Sequence, residues 1–283
     1  MGSERQATHR EVYSVGYGPG AHQRHSARTA SDHAGFFLPH LRCGMRLLDG
    51  GCGPGSITVG LARIVAPGQT IGVDLEPRQI ERARLVAAWE GATNLSFAVA
   101  NIYALPFADA TFDVVFAHTV LEHLSDPGRV LRELRRVLTP GGVVGVRDPD
   151  YGAGVWEPTT SLLAEVSHLL LRIREHHGGS PCNARHQRQL LREAGFVRVQ
   201  AYTFAECQGS AAATRAFAEL IAEVLHDPAT IEVAVEQGWA DRRTIDAMTA
   251  EVRAWGERSD AFRAILDCAA VGWVPDDGDL TTM

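Results

Sequence analysis

Apolar and polar positions along this chain follow two rhythms. Short apolar runs at 45–48, 71–74, 95–100, 113–117 and 143–146 are bounded by Gly, Pro, Asn and Asp, as expected of strands buried on both faces. Between them apolar residues recur every three or four positions, at Ile57, Leu61, Ile64 and Val65, and again at Ile80, Ala83, Ala87 and Ala88. Residues 126–138 form another helix, with Arg and Glu on its solvated face. Further helices are predicted over 159–177 and 188–194, and a sixth strand over 197–204. Strands alternating with helices in this way predict βαβ units and a parallel sheet.

The rhythm then changes. Residues 211–226 and 241–257 are helical, joined through Asp227 and Pro228, and 261–274 is apolar enough for a last strand near its end. Residues 206–258 read as a helical insertion covering the substrate side. At the other end, residues 1–30 are polar and His-rich and read as a mobile arm, and helical spacing over 28–41 predicts a helix before the first strand. The expected organisation is an N-terminal arm and helix (1–41), an α/β core (42–205), a helical cap (206–258), and a last strand with a tail (259–283).

The stretch around which the rest is arranged is 47–62. Asp49 is followed by Gly50, Gly51, Cys52, Gly53, Pro54 and Gly55, and then by a helix. Strand, glycine-rich turn and helix bring backbone N–H groups close to a ligand. Glycine permits positive φ there and an approach closer than a Cβ allows. The same turn also serves simply to pack a helix on a sheet. About 20 residues on, the run 71–74 ends in Asp74, where a carboxylate grips the two ribose hydroxyls of a nucleotide. Asp74 could equally cap the helix starting near Pro77, and Glu76 could share either task.

Taken together, the motifs resemble those of the class I S-adenosylmethionine-dependent methyltransferases, particularly the ubiquinone/menaquinone and small-molecule natural-product type. Residues 49–55 look like that family's first motif, and Val73 with Asp74 like its second. Residues 104–118 look like the approach to its fourth strand, and 138–142 like the turn before its fifth. The resemblance spans roughly 30–205. It implies a Rossmann-like, mostly parallel seven-stranded sheet with helices on both faces, an N-terminal helical arm, and a helical cap inserted before the last strand. It implies S-adenosyl-L-methionine as cofactor, leaving as S-adenosyl-L-homocysteine. It places Asp49, Gly51, Cys52, Gly53, Asp74, Leu75 and His118 around that cofactor, with Asn101 and Ile102 on its adenine. The family usually carries Asp where Asn101 stands. Tyr17, or Tyr13, would face the sulfonium, since a cation is drawn to a ring face.

Composition narrows the picture. The chain has 283 residues and a formal net charge of −7, and all 27 of its basic residues are Arg. With no basic run longer than two, nucleic acid is not the expected partner. The absence of Lys removes that residue as a catalytic base. Five cysteines without a Cys-x-x-Cys read as free thiols in a reducing cytoplasm, with no metal site expected. No apolar run approaches the ~20 residues of a membrane span, and no signal peptide is evident.

Methyl transfer is an in-line displacement, for which orientation alone can contribute ~7–11 kcal/mol. A base is needed only for a weakly acidic acceptor such as a sugar or phenol hydroxyl, and His is the natural candidate. In similar sugar O-methyltransferases, residues in the positions of His123 and Asp148 form the acid–base pair. The alternative reading of His123 is that it only packs or caps. Asp150 and Tyr151, expected to leave the fifth strand on the crevice side, are candidates for the substrate wall, with His176 and His177 behind them. The expected function is methylation of a small molecule, a secondary metabolite, at oxygen in preference to nitrogen. The rival is a methyltransferase-fold enzyme using the bound cofactor for cyclisation, rearrangement or decarboxylation. A homodimer through the helical insertion is a further expectation.

Overall fold

A computed structural model describes residues 26–276. Strand β1 (Leu47–Gly50) is buried at all four positions and lies inside a seven-stranded sheet. On one side of it lie β2 (Thr70–Asp74) and β3 (Leu95–Val99). On the other lie β4 (Phe112–His118), β5 (Leu138–Glu157), β7 (Phe262–Trp273) and β6 (Val197–Gln208), giving the order β3-β2-β1-β4-β5-β7-β6. Every pair among β1 to β5 is parallel, whereas β7 runs antiparallel to both its neighbours.

The apolar runs are continuous because both faces are covered. On β4, Val114 and Phe116 point to a cluster with Phe36, Phe37 and Leu61, while Val115 and Ala117 point to one with Leu131, Leu134 and Leu191. The crossover helices are α2 (Ser56–Val65), α3 (Pro77–Trp89), α4 (Pro127–Val137) and α6 (Gln187–Glu193). Helix α4 shows how the sequence starts one: Asp126 Oδ1 accepts from Arg129 N at 2.8 Å, and Pro127 takes the first turn, where no N–H is needed.

Helices α5 (Ser161–His176), α7 (Ala211–His226), α8 (Pro228–Glu236) and α9 (Arg242–Gly256) enclose a separate apolar cluster that includes Leu163, Val166, Phe217, Ile221, Met248 and Trp255. Trp255 Nε1 donates to Glu157 O at 3.0 Å, tying that cluster to the end of β5.

Three elements differ from expectation. The helix expected over 28–41 shrinks to α1 (Ala30–His33), capped by Thr29, followed by a turn and a single 3-10 turn at Leu38–His40. Phe36 and Phe37 leave the helical path to pack on the sheet, where Phe37 stacks on Phe116 at 5.5 Å. Strand β5 does not end at Val146. It continues to Glu157 because β7 supplies an antiparallel ladder as far as Glu157 opposite Phe262. Pairing with β4 stops at Arg147, so Pro149 falls where β5 has one neighbour and a missing N–H is tolerated. Strand β6 likewise runs to Gln208, taking in the first residues of the expected insertion.

Candidate active site

The turn after β1 is built by positive φ at Gly51 (77°), Gly53 (52°) and Gly55 (80°). A Cβ on Gly51 would collide with Val120 Cγ2. At Gly53 a Cβ would meet nothing within 4 Å and would project into a cavity of about 220 Å³. Gly51 N and Cys52 N both donate to Val73 O, which fastens the turn to β2.

Asp74 closes this arrangement. Its Oδ2 accepts from Gly53 N and its Oδ1 from Glu76 N, each at 2.9 Å. Burial raises its pKa, and these backbone bonds oppose the rise. A carboxylate offers about four acceptor sites, so these bonds leave capacity for a ligand hydroxyl. Asp74 therefore both braces the turn and faces the cavity, while the cap of α3 is Glu76, which accepts from Arg78 N. Asp49 lies deeper, 3% exposed, accepting from Thr58 Oγ1 at 2.6 Å. Burial pushes it up to about 7, against that hydrogen bond. A cation entering the cavity would ionise it.

The wall contains Asp49, Gly51, Cys52, Gly53, Asp74 and Leu75, and beyond them Asn101, Ile102, His118 and His123. Ten residues scattered over 75 positions of sequence thus meet at one crevice, beyond the carboxyl ends of β1 to β4. Tyr17 and Tyr13 lie outside the described residues.

His118 ends β4. Its Nδ1 is 2.8 Å from Thr119 Oγ1, its ring stacks on Phe116 at 6.3 Å, and His33 meets it edge-on at 5.2 Å. Thr119 holds a φ of 58°, an uncommon conformation for a β-branched residue and one that clusters at functional sites. His123 presents Nε2 3.4 Å from Oε1 of Glu122, a carboxylate that is 1% exposed.

Asp148 does not reach the cavity. It is 1% exposed, its Oδ1 accepting from Val120 N at 2.7 Å and Glu122 N at 3.4 Å, and its Oδ2 from Gln187 Nε2 at 2.7 Å. It holds the 118–123 loop from beneath, off the cavity wall where the expected acid–base pair would need it. Burial lifts its pKa to about 6. Asp150 is also withdrawn, held by Arg185 Nε at 2.6 Å and Nη2 at 2.8 Å. Tyr151 lines a second, smaller cavity of about 70 Å³ under α5 and α7, beneath the Arg174 guanidinium at 4.0 Å. The expected substrate wall at 150–151 is thus divided, because β5 continues as a strand and alternates these side chains between faces. His176 and His177 meet edge-on at 5.6 Å at the end of α5, off the main cavity. Among the described residues no group of His, Cys, Asp and Glu has the arrangement of a metal site.

Sequence reasoning missed Arg28, Gln79 and Tyr103, all on the cavity wall, and gave no role to Arg147 where β5 passes the end of β4. Arg147 is 6% exposed. It pairs with Asp267 at 2.9 Å and donates through Nη1 to Asp32 O at 2.9 Å and His33 O at 3.3 Å. A charge at the end of an apolar strand was the available signal.

A doubly wound sheet with this turn after its first strand and this carboxylate at the end of its second defines a Rossmann-like enzyme of the nucleotide-cofactor class. The family model described as "Methyltransferase domain" matches residues 41–194. An uncharacterized methyltransferase of Schizosaccharomyces pombe is 35% identical over 207 residues, covering 70% of each chain. The O-methyltransferase resE of Aspergillus sclerotiorum is 34% identical over 161 residues, and the chain spans 57% of its length. Among solved structures, the YcgJ protein of Bacillus subtilis shares the fold, with a TM-score of 0.59 at 19% identity, over 86% of this chain and 97% of that one. The chain belongs to the class I S-adenosylmethionine-dependent methyltransferases, and S-adenosylmethionine is its cofactor. Among the described residues no helix is long and apolar enough to cross a membrane.

Proposed function

We propose that the protein methylates a hydroxyl oxygen of a small molecule, with secondary metabolites as the acceptor class. The observation that carries this reading is the placement of two imidazoles, His118 and His123, on the wall of the cofactor cavity. An amine acceptor needs no such group once deprotonated, whereas a sugar or phenol hydroxyl does. The relative named as an O-methyltransferase supports the same choice.

S-adenosylmethionine, when bound, supplies the electrophilic methyl. Asp74 binds the ribose diol, and Asn101 with Ile102 takes the adenine. Asp49 meets the positive charge at the methionine end, beside the open position at Gly53. His123 takes the hydroxyl proton. Its Nε2 faces Glu122, so Nδ1 is the atom assigned to receive the proton, and the buried carboxylate stabilises the imidazolium. Asp148 holds the loop that carries both histidines. His118, fixed by Thr119, contacts the cofactor.

The test is product mass from a panel of phenolic and sugar acceptors, with His123→Asn and His118→Asn beside the parent. Methylation adds one methylene unit. Loss of general-base catalysis in His123→Asn should cost about 10²–10⁴-fold in turnover, with S-adenosylhomocysteine affinity unchanged. His118→Asn should instead weaken that affinity. Methylation confined to amines, or an unaffected His123→Asn, would overturn the assignment.

A further inference from the structure

The second cavity, of about 70 Å³, lies between the extended ladder of β5 and β7 and the helices α5 and α7. That is room for roughly five waters, or for one end of a small organic ligand. Its wall is mostly apolar, yet two guanidiniums border it. Along β7, Phe262 is 40% exposed, whereas Arg263, on the opposite face, is only 5% exposed. Arg263 stands opposite Trp156 in the ladder, and its Nη1 donates to Gln208 Oε1 at 2.7 Å. Arg174 comes from α5, where its Nη1 donates to Leu170 O at 3.2 Å. Its Nε is buried and has no hydrogen-bond partner among the described residues. Among the described residues no Asp or Glu stands on the wall.

Both guanidiniums lie over rings. Arg174 is 4.0 Å from the centroid of Tyr151, and Arg263 is 4.1 Å from that of Phe217. A ring occupies a guanidinium's face and leaves its edge, where the N–H donors form a fork matched to a carboxylate. A buried donor without an acceptor costs stability, and a ligand that supplies the acceptor recovers it. The apolar remainder of the wall suits a ring or short chain carrying that carboxylate. The cavity is also tied to the cofactor site through residues 179–181. Gly179 N donates to Arg174 O at 3.0 Å, Ser180 N to Glu122 O at 2.8 Å, and Tyr151 N to Pro181 O at 3.0 Å. One short segment thus joins the backbone of Arg174 and Tyr151 to the residue before His123.

We propose that this second cavity is the subsite for the carboxylate of the methyl acceptor, which is an aromatic or short-chain hydroxy acid. The acceptor's hydroxyl rests on the oxygen-methylation reading above, whereas the carboxylate subsite rests on the cavity and Arg174.

The experiment has two arms. In the first, the full chain saturated with S-adenosylhomocysteine is titrated calorimetrically with benzoate, benzamide and phenyl phosphate, using the parent, Arg174→Gln and Arg174→Lys. In the second, the parent is given S-adenosylmethionine with the hydroxybenzoates or their methyl esters, and methyl ether formation is followed. The parent should bind benzoate about 10–100-fold more tightly than benzamide, as a charge-assisted pair would give. Arg174→Gln should lose that preference. Arg174→Lys, which keeps the charge without the fork, should recover part of it. S-adenosylhomocysteine affinity should stay at the parent's value in both variants, which checks that they fold. The acids should be methylated faster than the esters. Equal binding of benzamide and benzoate, a preference for phenyl phosphate, or an Arg174→Gln that still prefers benzoate would overturn the proposal. Arg174-dependent benzoate binding with esters methylated ahead of acids would overturn the acceptor role. The same binding with methylation confined to amines would overturn the oxygen reading and leave the carboxylate subsite standing.

Discussion

Asp148 holds a carboxylate where water does not reach, and three donors converge on it from Val120, Glu122 and Gln187. Burial nevertheless dominates, leaving Asp148 at about 6 and Asp49 at about 7. Both values lie above the ordinary carboxylate range, so the folded state binds these protons more tightly than the unfolded chain does. Their contribution to stability is fully present below about pH 4 and is lost as pH rises through 6 to 7. Asp148→Asn should remove its share of that dependence. Asn Oδ1 still accepts from the loop, and a rotated Gln187 amide can accept from Asn Nδ2. Urea denaturation at pH 5 and pH 8 should show a smaller difference for Asp148→Asn than for the parent. Asp148→Ala should instead destabilise by roughly 1–3 kcal/mol for each donor left unsatisfied. Asp74→Ala is expected to weaken S-adenosylhomocysteine about 10–100-fold by calorimetry, through loss of the diol acceptor and of the brace on Gly53. The place of Asp74 on the cavity wall was readable from sequence because strand, turn and carboxylate all lie within residues 47–74. Asp148 was misread because a carboxylate near a strand end looks the same whether it points into the crevice or beneath it.

Among the elements, α1 depends most on partners distant in sequence. Four residues are too few for a stable helix alone. What holds it is Arg147, whose guanidinium bonds Asp32 O and His33 O, pairs with Asp267 and lies 4.6 Å from the Phe204 ring. That places Arg28 and His33 beside the cofactor cavity. Arg147→Met would leave Asp267 as a buried unpaired charge and free two carbonyls, at a cost of roughly 3–5 kcal/mol. Adding Asp267→Asn should recover part of the loss in denaturant midpoint. Amide exchange over 29–37 should accelerate in both variants, because neither restores the bonds to the α1 carbonyls. The extent of β5 has the same origin: its residues after Arg147 are strand only because β7 lies beside them.

At the scale of the whole molecule, two apolar systems share one sheet. The Rossmann-like layers close over β1 to β5, and α5, α7, α8 and α9 close over their own cluster on the extended ends of β5 and β7. Trp255 is 2% exposed, touches Trp156 and Phe217, and reaches Glu157 O. Trp255→Ala should cost roughly 3–5 kcal/mol through lost burial and the cavity left behind. Thermal melting should then show these helices loosening, while S-adenosylhomocysteine affinity, which the site proposed at the ends of β1 to β4 would set, changes little. The sequence by itself determined the strand order's building blocks, the glycine turn, the place of Asp74 and the helices near 211–226 and 241–257. Their signals are periodicity and short motifs, both carried by residues close along the chain. Only the tertiary structure decided how far β5 and β6 run, how short α1 is, and that Glu122 stands behind His123 while Asp148 lies below. Those outcomes depend on β7, Arg147 and Gln187, whose partners lie 39 to 130 positions away. No local pattern specifies which face such distant groups will share.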